Sequence, residues 1–161
     1  MTTKHLAASD QALLRAAIAL STRARDAGNA PYGALLADAQ GGVLLEACNT
    51  QVSDNDVTAH AELNLVRAAS QRFDRDALAA CTVYASGEPC AMCAGALYWS
   101  GVGRVVFGLS IESMTALGGP DADELVLHCA DVIASGMRPV EVIGPALEDE
   151  ARRVFEPTGV P

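Results

Sequence analysis

Two short segments far apart in the chain, Thr58-Ala59-His60-Ala61-Glu62 and Glu88-Pro89-Cys90-Ala91-Met92-Cys93, constrain the fold more than any other feature, with 27 residues between Glu62 and Cys90. One His and two Cys make a three-ligand set suited to zinc. A three-ligand zinc keeps a fourth position for a water that can be activated. Whatever architecture forms must therefore bring both segments to one point. Glu62, two residues from His60, is placed to carry a proton. Taken alone, Cys90-x-x-Cys93 is also compatible with a redox pair or with half of a structural zinc site. Neither explains His60 with Glu62, and no second C-x-x-C supplies a fourth ligand.

The spacing also predicts how the segments sit. Residues two apart on a helix differ by roughly 200° in direction, so His60 and Glu62 can share one centre only from a first turn, with the helix end aimed at the metal. Cys90 and Cys93, at i and i+3, share a helical face. Pro89 suits the first turn of that helix, and a helix N-terminus favours the thiolate form that binds metal. Two helix N-termini are thus expected to converge on the zinc.

The remaining elements follow from periodicity and punctuation. Ser9 is read as the cap of a helix running to about Ala27, with apolar Leu13, Leu14, Ala17, Ile18 and Leu20, ended by Gly28-Asn29. Ala34 to Asp38 and Val43 to Cys48 read as a hairpin around Gln40-Gly41-Gly42, and Thr50 to Val57 as a polar loop. A helix from about Ala59 to Gln71, capped by Asp56 or Thr58, comes next. Then come a strand Thr82 to Ser86, a helix Cys90 to Ser100 and a strand Val102 to Gly108. Glu112 to Asp123 reads as loop with some helix, ahead of a helix near Glu124 to Ser135, a strand Val140 to Ile143 and a helix Leu147 to Phe155. This order predicts an α/β fold: a three-layer α/β/α sandwich around a five-stranded mixed sheet, begun by a hairpin and continued by crossovers. No repeat or linker divides residues 1–161, so a single domain is expected.

Composition excludes some classes. The longest apolar run, Cys90 to Trp99, has ten residues, half of the about 20 a membrane-crossing helix needs. Met1 to His5 leads into no signal-peptide apolar region. Five Cys without a disulfide-framework spacing suit a reducing cytoplasm, and Cys48, Cys81 and Cys129 read as small buried apolar residues. Net charge is −9, with ten acids against three bases from Glu112 onward. A polyanion would be repelled by that segment, so a nucleic-acid partner is not expected.

The pattern His-x-Glu followed by Pro-Cys-x-x-Cys resembles the cytidine-deaminase-like superfamily of zinc deaminases, on its branch of bacterial guanine deaminases, bacterial tRNA adenosine deaminases and fungal cytosine deaminases. The resemblance covers about Asp10 to Ser110. Asn49 to Glu62 and Gly95 to Trp99 look most like guanine deaminase, while Gly103 to Gly108 looks more like the tRNA enzymes. It implies one zinc per chain on His60, Cys90 and Cys93, with Glu62 shuttling protons. It implies base contacts from Asn49, Tyr32 (in Pro31-Tyr32-Gly33-Ala34), Ala61, Trp99 reaching from a neighbouring subunit, and Asp121. By spacing alone, Asn49 also fits an ordinary turn residue, Trp99 a core or interface position, and Asp121 a solvated loop acid. The implied activity is hydrolytic deamination of a purine base or nucleoside, guanine first, then adenosine in tRNA, then cytosine. Small Ala94-Gly95-Ala96 before Leu97-Tyr98-Trp99 predicts a homodimer. The chain ends Glu148-Asp149-Glu150-Ala151-Arg152-Arg153 and then Pro157, acidic where the tRNA enzymes are basic. Only Thr158 to Pro161 follow, so closure of the pocket by a C-terminal tail is not expected.

Overall fold

Helices α1 (Ala8–Asp26), α2 (Ala61–Arg72), α3 (Arg75–Ala79), α4 (Ala91–Ser100), α5 (Ile111–Gly118), α6 (Cys129–Ala134) and α7 (Glu148–Arg153) surround one sheet. The sheet has strands β1 (Gly33–Ala37), β2 (Val43–Cys48), β3 (Thr82–Gly87), β4 (Arg104–Leu109) and β5 (Glu141–Ile143) in the order β2-β1-β3-β4-β5. This computed structural model describes residues 6–157. The readings of Met1 to His5 and of Thr158 to Pro161 lie outside them. Strand β1 is antiparallel to both β2 and β3, whereas β3, β4 and β5 run parallel, so the sheet is mixed, as expected. Both faces are covered. Ala34, Leu36, Val83 and Val105 pack with Leu65, Leu97 and Ile133 of α2, α4 and α6. Leu35, Ala37, Tyr84 and Val106 pack with Leu14, Ile18 and Val154 on the side of α1 and α7. Strand residues alternate between the two cores because successive side chains of a strand point to opposite faces. The result is the three-layer sandwich.

Several boundaries differ from the sequence reading for local reasons. The cap of α1 is Ala7, without a side-chain cap bond, and Ser9 lies inside the helix. Its other end behaves as read. Gly28 takes φ +83°, and the amides of Asn29 and Gly28 donate to the carbonyls of Ala24 and Arg25, closing a Schellman end. Helix α2 is capped by neither Asp56 nor Thr58: it starts after His60, and Asp56 accepts instead from the Thr58 amide and hydroxyl. Helix α3, capped by Asp74 through the Ala77 amide, was not anticipated. The helix within the segment read as loop with some helix from Glu112 is α5, capped by Ser110. Helix α6 begins only at Cys129, so residues 119–128 form a loop whose second half, from Glu124, was expected to be helix. Cys81 and Cys129 are buried thiols, while Cys48 is half-buried with its thiol on the Leu20 carbonyl.

The strand order decides where chemistry can occur. Gly33, at the start of β1, pairs with Cys48 at the end of β2, while Gly87 at the end of β3 lies beside Leu109 at the end of β4. Four connecting segments therefore leave one edge of the sheet, the carboxyl end of its parallel strands, where open α/β sheets place their ligands. Close approach of α1 reinforces this edge: a Cβ on Gly33 would sit 2.4 Å from Leu20 Cβ and 2.6 Å from the Ser21 amide nitrogen.

Helix α1 is tied to the sheet by a partly buried ion pair. Asp10 accepts from both terminal nitrogens of Arg104 at 2.8 Å and from the Tyr84 hydroxyl. The Arg104 guanidinium holds the Asp10 carboxyl below its usual range. Its folded-state pKa is therefore below the unfolded value of about 3.9. The stabilisation is complete above that value and is lost as pH falls through the folded pKa. Asp10→Asn should cost about 1–3 kcal/mol at pH 7 and much less at pH 3. Urea unfolding at the two pH values reads the difference, and an equal loss at both would show that the charge is not what Asp10 contributes.

Candidate metal centre and substrate cavity

His60 occupies the cap position of α2, with extended backbone (φ −66°, ψ 152°) and no capping bond from its ring. Cys90 holds the same position on α4 (φ −62°, ψ 171°), and Cys93 lies in the first turn behind it. His60 at the start of α2 meets Cys90 and Cys93 at the start of α4, so the two helix starts face each other. Pro89 precedes the cap instead of occupying the first turn, a shift of one or two positions from the sequence reading. Glu62, in the first turn of α2, is buried, and its side chain enters the same cavity as His60 and Cys90. The convergence expected from the spacing is present.

The donor geometry fits zinc. His60 Nδ1 lies 3.7 Å from Cys90 Sγ and 3.5 Å from Cys93 Sγ, and the three donor atoms all lie within 4.8 Å of one another. Tetrahedral zinc with bonds of about 2.3 Å to sulfur and about 2.0–2.1 Å to nitrogen requires about 3.5–3.6 Å between those atoms. The proton chemistry agrees. The Cys93 thiol donates to the Cys90 sulfur and holds Cys90 down to about 4, and the same contact pushes Cys93 up. Cys90 thus opposes ionisation of Cys93, and a cation is what would stabilise both as thiolates. Burial pushes the Glu62 carboxyl up to about 7, a value suited to exchanging a proton near neutrality.

The loop that presents His60 is preformed. Asn64, on α2, donates to the carbonyl of Cys48 at 3.0 Å and to the Thr50 hydroxyl at 2.9 Å. Asn29 accepts from the amides of Val52 and Ser53, both at 3.0 Å. Glu88 has a comparable role on the other side. Its buried carboxylate accepts from the Ile111 amide at the start of α5 and the Cys129 amide at the start of α6, both at 3.0 Å. None of these three was singled out from sequence. For Glu88 the available signal was a carboxylate directly before Pro-Cys at a strand end.

A cavity of about 530 Å³ opens on His60, Glu62 and Cys90. Tyr32 and Asn49 line it, as the resemblance implied. Tyr32 is braced edge-on by Phe155 at 5.6 Å, and burial pushes its hydroxyl pKa up, so it stays neutral. Asn49 is 1% exposed. Its amide donates to Gln51 Oε1 at 2.7 Å and its carbonyl accepts from the Gln51 amide at 3.0 Å, so here it also forms the turn that the bare spacing allowed. Two expectations differ, at Ala61 and Asp121. The Ala61 side chain is fully buried in the core. Trp99, at the far end of α4, is 74% exposed and lies outside the cavity of its own chain, compatible with the expected approach from a neighbouring subunit. Asp121 is exposed outside the cavity, and Asp123 and Glu124 line it instead, because residues 119–128 are extended loop and not the start of a helix. Met92 and Met114 complete an apolar wall that sequence reasoning did not identify.

This fold with this centre defines a zinc-binding hydrolytic deaminase. The chain belongs to the cytidine and deoxycytidylate deaminase family, whose zinc-binding region matches residues 7–109. A probable cytosine deaminase of Schizosaccharomyces pombe is 41% identical over 153 residues, covering 94% of this chain and 93% of that protein. A tRNA-specific adenosine deaminase of Haemophilus influenzae is 36% identical over 109 residues, covering 68% of this chain and 63% of the relative. A solved guanine deaminase from Nitrosomonas europaea has a TM-score of 0.74 at 25% identity, covering 92% of this chain and 82% of its own. Among the described residues, no helix is long and apolar enough to cross a membrane.

Protein purified without added metal should contain about one zinc per chain by elemental analysis. His60→Ala and Cys90→Ala should each lose it. Full activity in metal-free protein would contradict this centre.

Proposed function

We propose that the chain deaminates a small free nucleobase, with guanine as the foremost substrate. The observation that carries the reading is the pair Asp123 and Glu124 in the same cavity as His60 and Glu62. Carboxylates accept from the ring N–H and exocyclic amine donors of a free base, and they repel the phosphates on which RNA affinity rests. A cavity of about 530 Å³ admits a purine, and the net charge of −9 acts in the same direction against RNA. The solved guanine deaminase is consistent with the reading. A second reading, cytosine, is favoured by the 41% identity to the S. pombe relative across nearly the whole of both chains.

In the proposed reaction Tyr32 packs on the base and Asn49 hydrogen-bonds it, exchanging its contact with Gln51 for one with substrate. Zinc, when bound, supplies the Lewis acidity that makes a water nucleophilic at neutral pH. Glu62 takes one proton from that water as its oxygen attacks the amine-bearing ring carbon. Glu62 gives that proton to the ring nitrogen, then moves the second proton from the new hydroxyl on the ring carbon to the departing amine. The C–N bond breaks, a carbonyl replaces the amine and ammonia leaves.

The test is ammonia release from guanine, guanosine, adenine and cytosine, alongside inosine formation in an anticodon stem-loop, at physiological salt. Guanine turnover is expected, with Glu62→Ala keeping zinc and losing about 10²- to 10⁴-fold. Turnover of cytosine but not guanine would install the second reading, and stem-loop activity alone would overturn both. A loss of less than tenfold in Glu62→Ala would remove Glu62 from the mechanism.

We further propose a homodimer through the end of α4. Trp99 at 74% exposure and Met137 at 100% are costly to leave in water, and in a dimer Trp99 is free to approach the partner's cavity. Sedimentation equilibrium at micromolar concentration should give twice the chain mass, and a monomer would dismiss the interface.

A further inference from the structure

Residues 119–128, between α5 and α6, contribute Asp123, Glu124 and Leu125 to the cavity yet have little internal support. Among the described residues, the hydrogen bonding of 120–127 is one backbone bond, from the Ala122 amide to the Gly119 carbonyl at 3.2 Å. Leu125, Val126 and Leu127 are each more than half exposed. A segment with so few contacts of its own takes its position from its two ends.

Both ends are held by one carboxylate. Glu88 Oε2 accepts from the Ile111 amide, which starts α5, and Oε1 accepts from the Cys129 amide, which starts α6. His128, the last residue of the segment, adds a side-chain link: its Nδ1 lies 3.1 Å from Glu88 Oε1, and its Nε2 lies 3.2 Å from Glu112 Oε1 on α5. The imidazole thus bridges the two helices that bound the loop. Glu88 raises the His128 pKa, so the bridge is favoured as an imidazolium that hydrogen-bonds Glu88 through Nδ1 and pairs with the Glu112 carboxylate through Nε2. The ligands His60, Cys90 and Cys93 and the carboxyl of Glu62 lie on α2 and α4, which His128 does not contact by any polar bond.

We infer that His128 is a positioning residue: by bridging Glu88 and Glu112 it sets the loop 119–128 over the cavity, and so sets substrate affinity through Asp123 and Glu124 without touching substrate. The inference rests on the proposed reading only in taking this cavity as the substrate site. It differs from a general structural role in what it spares. Release of the bridge frees the loop and leaves the metal centre and the proton carrier in place. Binding should weaken while the bound substrate reacts as before.

The test compares zinc-loaded wild type, His128→Ala and His128→Asn. The Asn amide reproduces the Nδ1 donor toward Glu88. In His128→Ala, amides of 119–127 should exchange hydrogen faster, and KM should rise about fivefold, the equivalent of one net hydrogen bond. Turnover at saturation should stay within about twofold of wild type, with zinc content unchanged. In His128→Asn, exchange and KM should return most of the way to wild type. Exchange is read without substrate, and KM on whichever base or nucleoside the wild type turns over, so a wrong substrate assignment leaves the exchange result standing. Unchanged exchange and KM in His128→Ala would overturn the inference. So would a loss of zinc or turnover at constant KM, or an Asn variant no better than Ala.

Discussion

Two sulfurs, an imidazole and a buried carboxyl crowd one point, and the repulsion among the sulfurs and the carboxyl is the constraint the site is built around. A second thiolate beside the first in a space shielded from water is costly. Glu62 feels the same shortage of solvent and keeps hold of its proton up to about 7. A divalent cation removes the conflict: two thiolates balance its charge and the neutral imidazole completes the set. The positive ends of α2 and α4 face the same point and favour negative charge there. Metal binding and local order are coupled in such a site. That coupling explains the effort spent on fixing the loops, with Asn64 and Asn29 on one side and Glu88 on the other.

The sheet makes that convergence possible. Because β1 runs antiparallel to β3, its first residues emerge beside the last residues of β2, β3 and β4. Tyr32, Asn49, Cys90 and the start of α5 are therefore neighbours despite wide separation in sequence. An all-parallel arrangement would have sent the Tyr32 segment to the opposite edge. The hairpin that opens the sheet thus places an aromatic wall next to a metal centre, and the Asp10–Arg104–Tyr84 cluster holds α1 against the far end of the same strands.

Much of this was legible before the structure, and the failures have physical causes. The zinc ligands and Glu62 were readable because their residue types carry chemistry and their spacing on helices permits one geometry. The five strands were readable because β-branched and apolar runs were punctuated by Gly and Asn. Residues 124–128 were misread because the polar residues Glu124, His128, Asp131 and Ser135 recur at three- and four-residue spacing, which extends the helical pattern of α6 backward. Nothing local shows that the backbone from Pro120 to Leu127 is needed at the cavity. Asp121 was the wrong acid for the same reason: a loop has no periodicity to fix which side chain points inward, and Asp123 and Glu124 were two and three residues away. Glu88 escaped notice because its partners are backbone amides more than 20 residues distant, a kind of contact that leaves no trace in residue patterns. Caps failed similarly at Ser9 and Asp56. Both have capping side chains, but the helices begin where packing and the metal centre require.

The charge argument about substrate changes its footing once the contacts are known. From sequence, the acidic C-terminal segment stood against a polyanion. Much of that acidity is engaged in packing: Glu148 accepts from the Ser110 amide and the Ser110 and Ser113 hydroxyls, and Glu150 pairs with Arg15. Ion pairs of that kind project little field to a distant site. Asp123 and Glu124, by contrast, line the cavity itself. They lie within about one Debye length of a molecule bound there, so they act on it far more strongly than net charge does. A phosphate chain threading to this cavity would have to pass them, whereas a neutral base offers them hydrogen-bond donors. In the proposed reading, this ten-residue loop adds to the overall charge of the protein in discriminating against RNA.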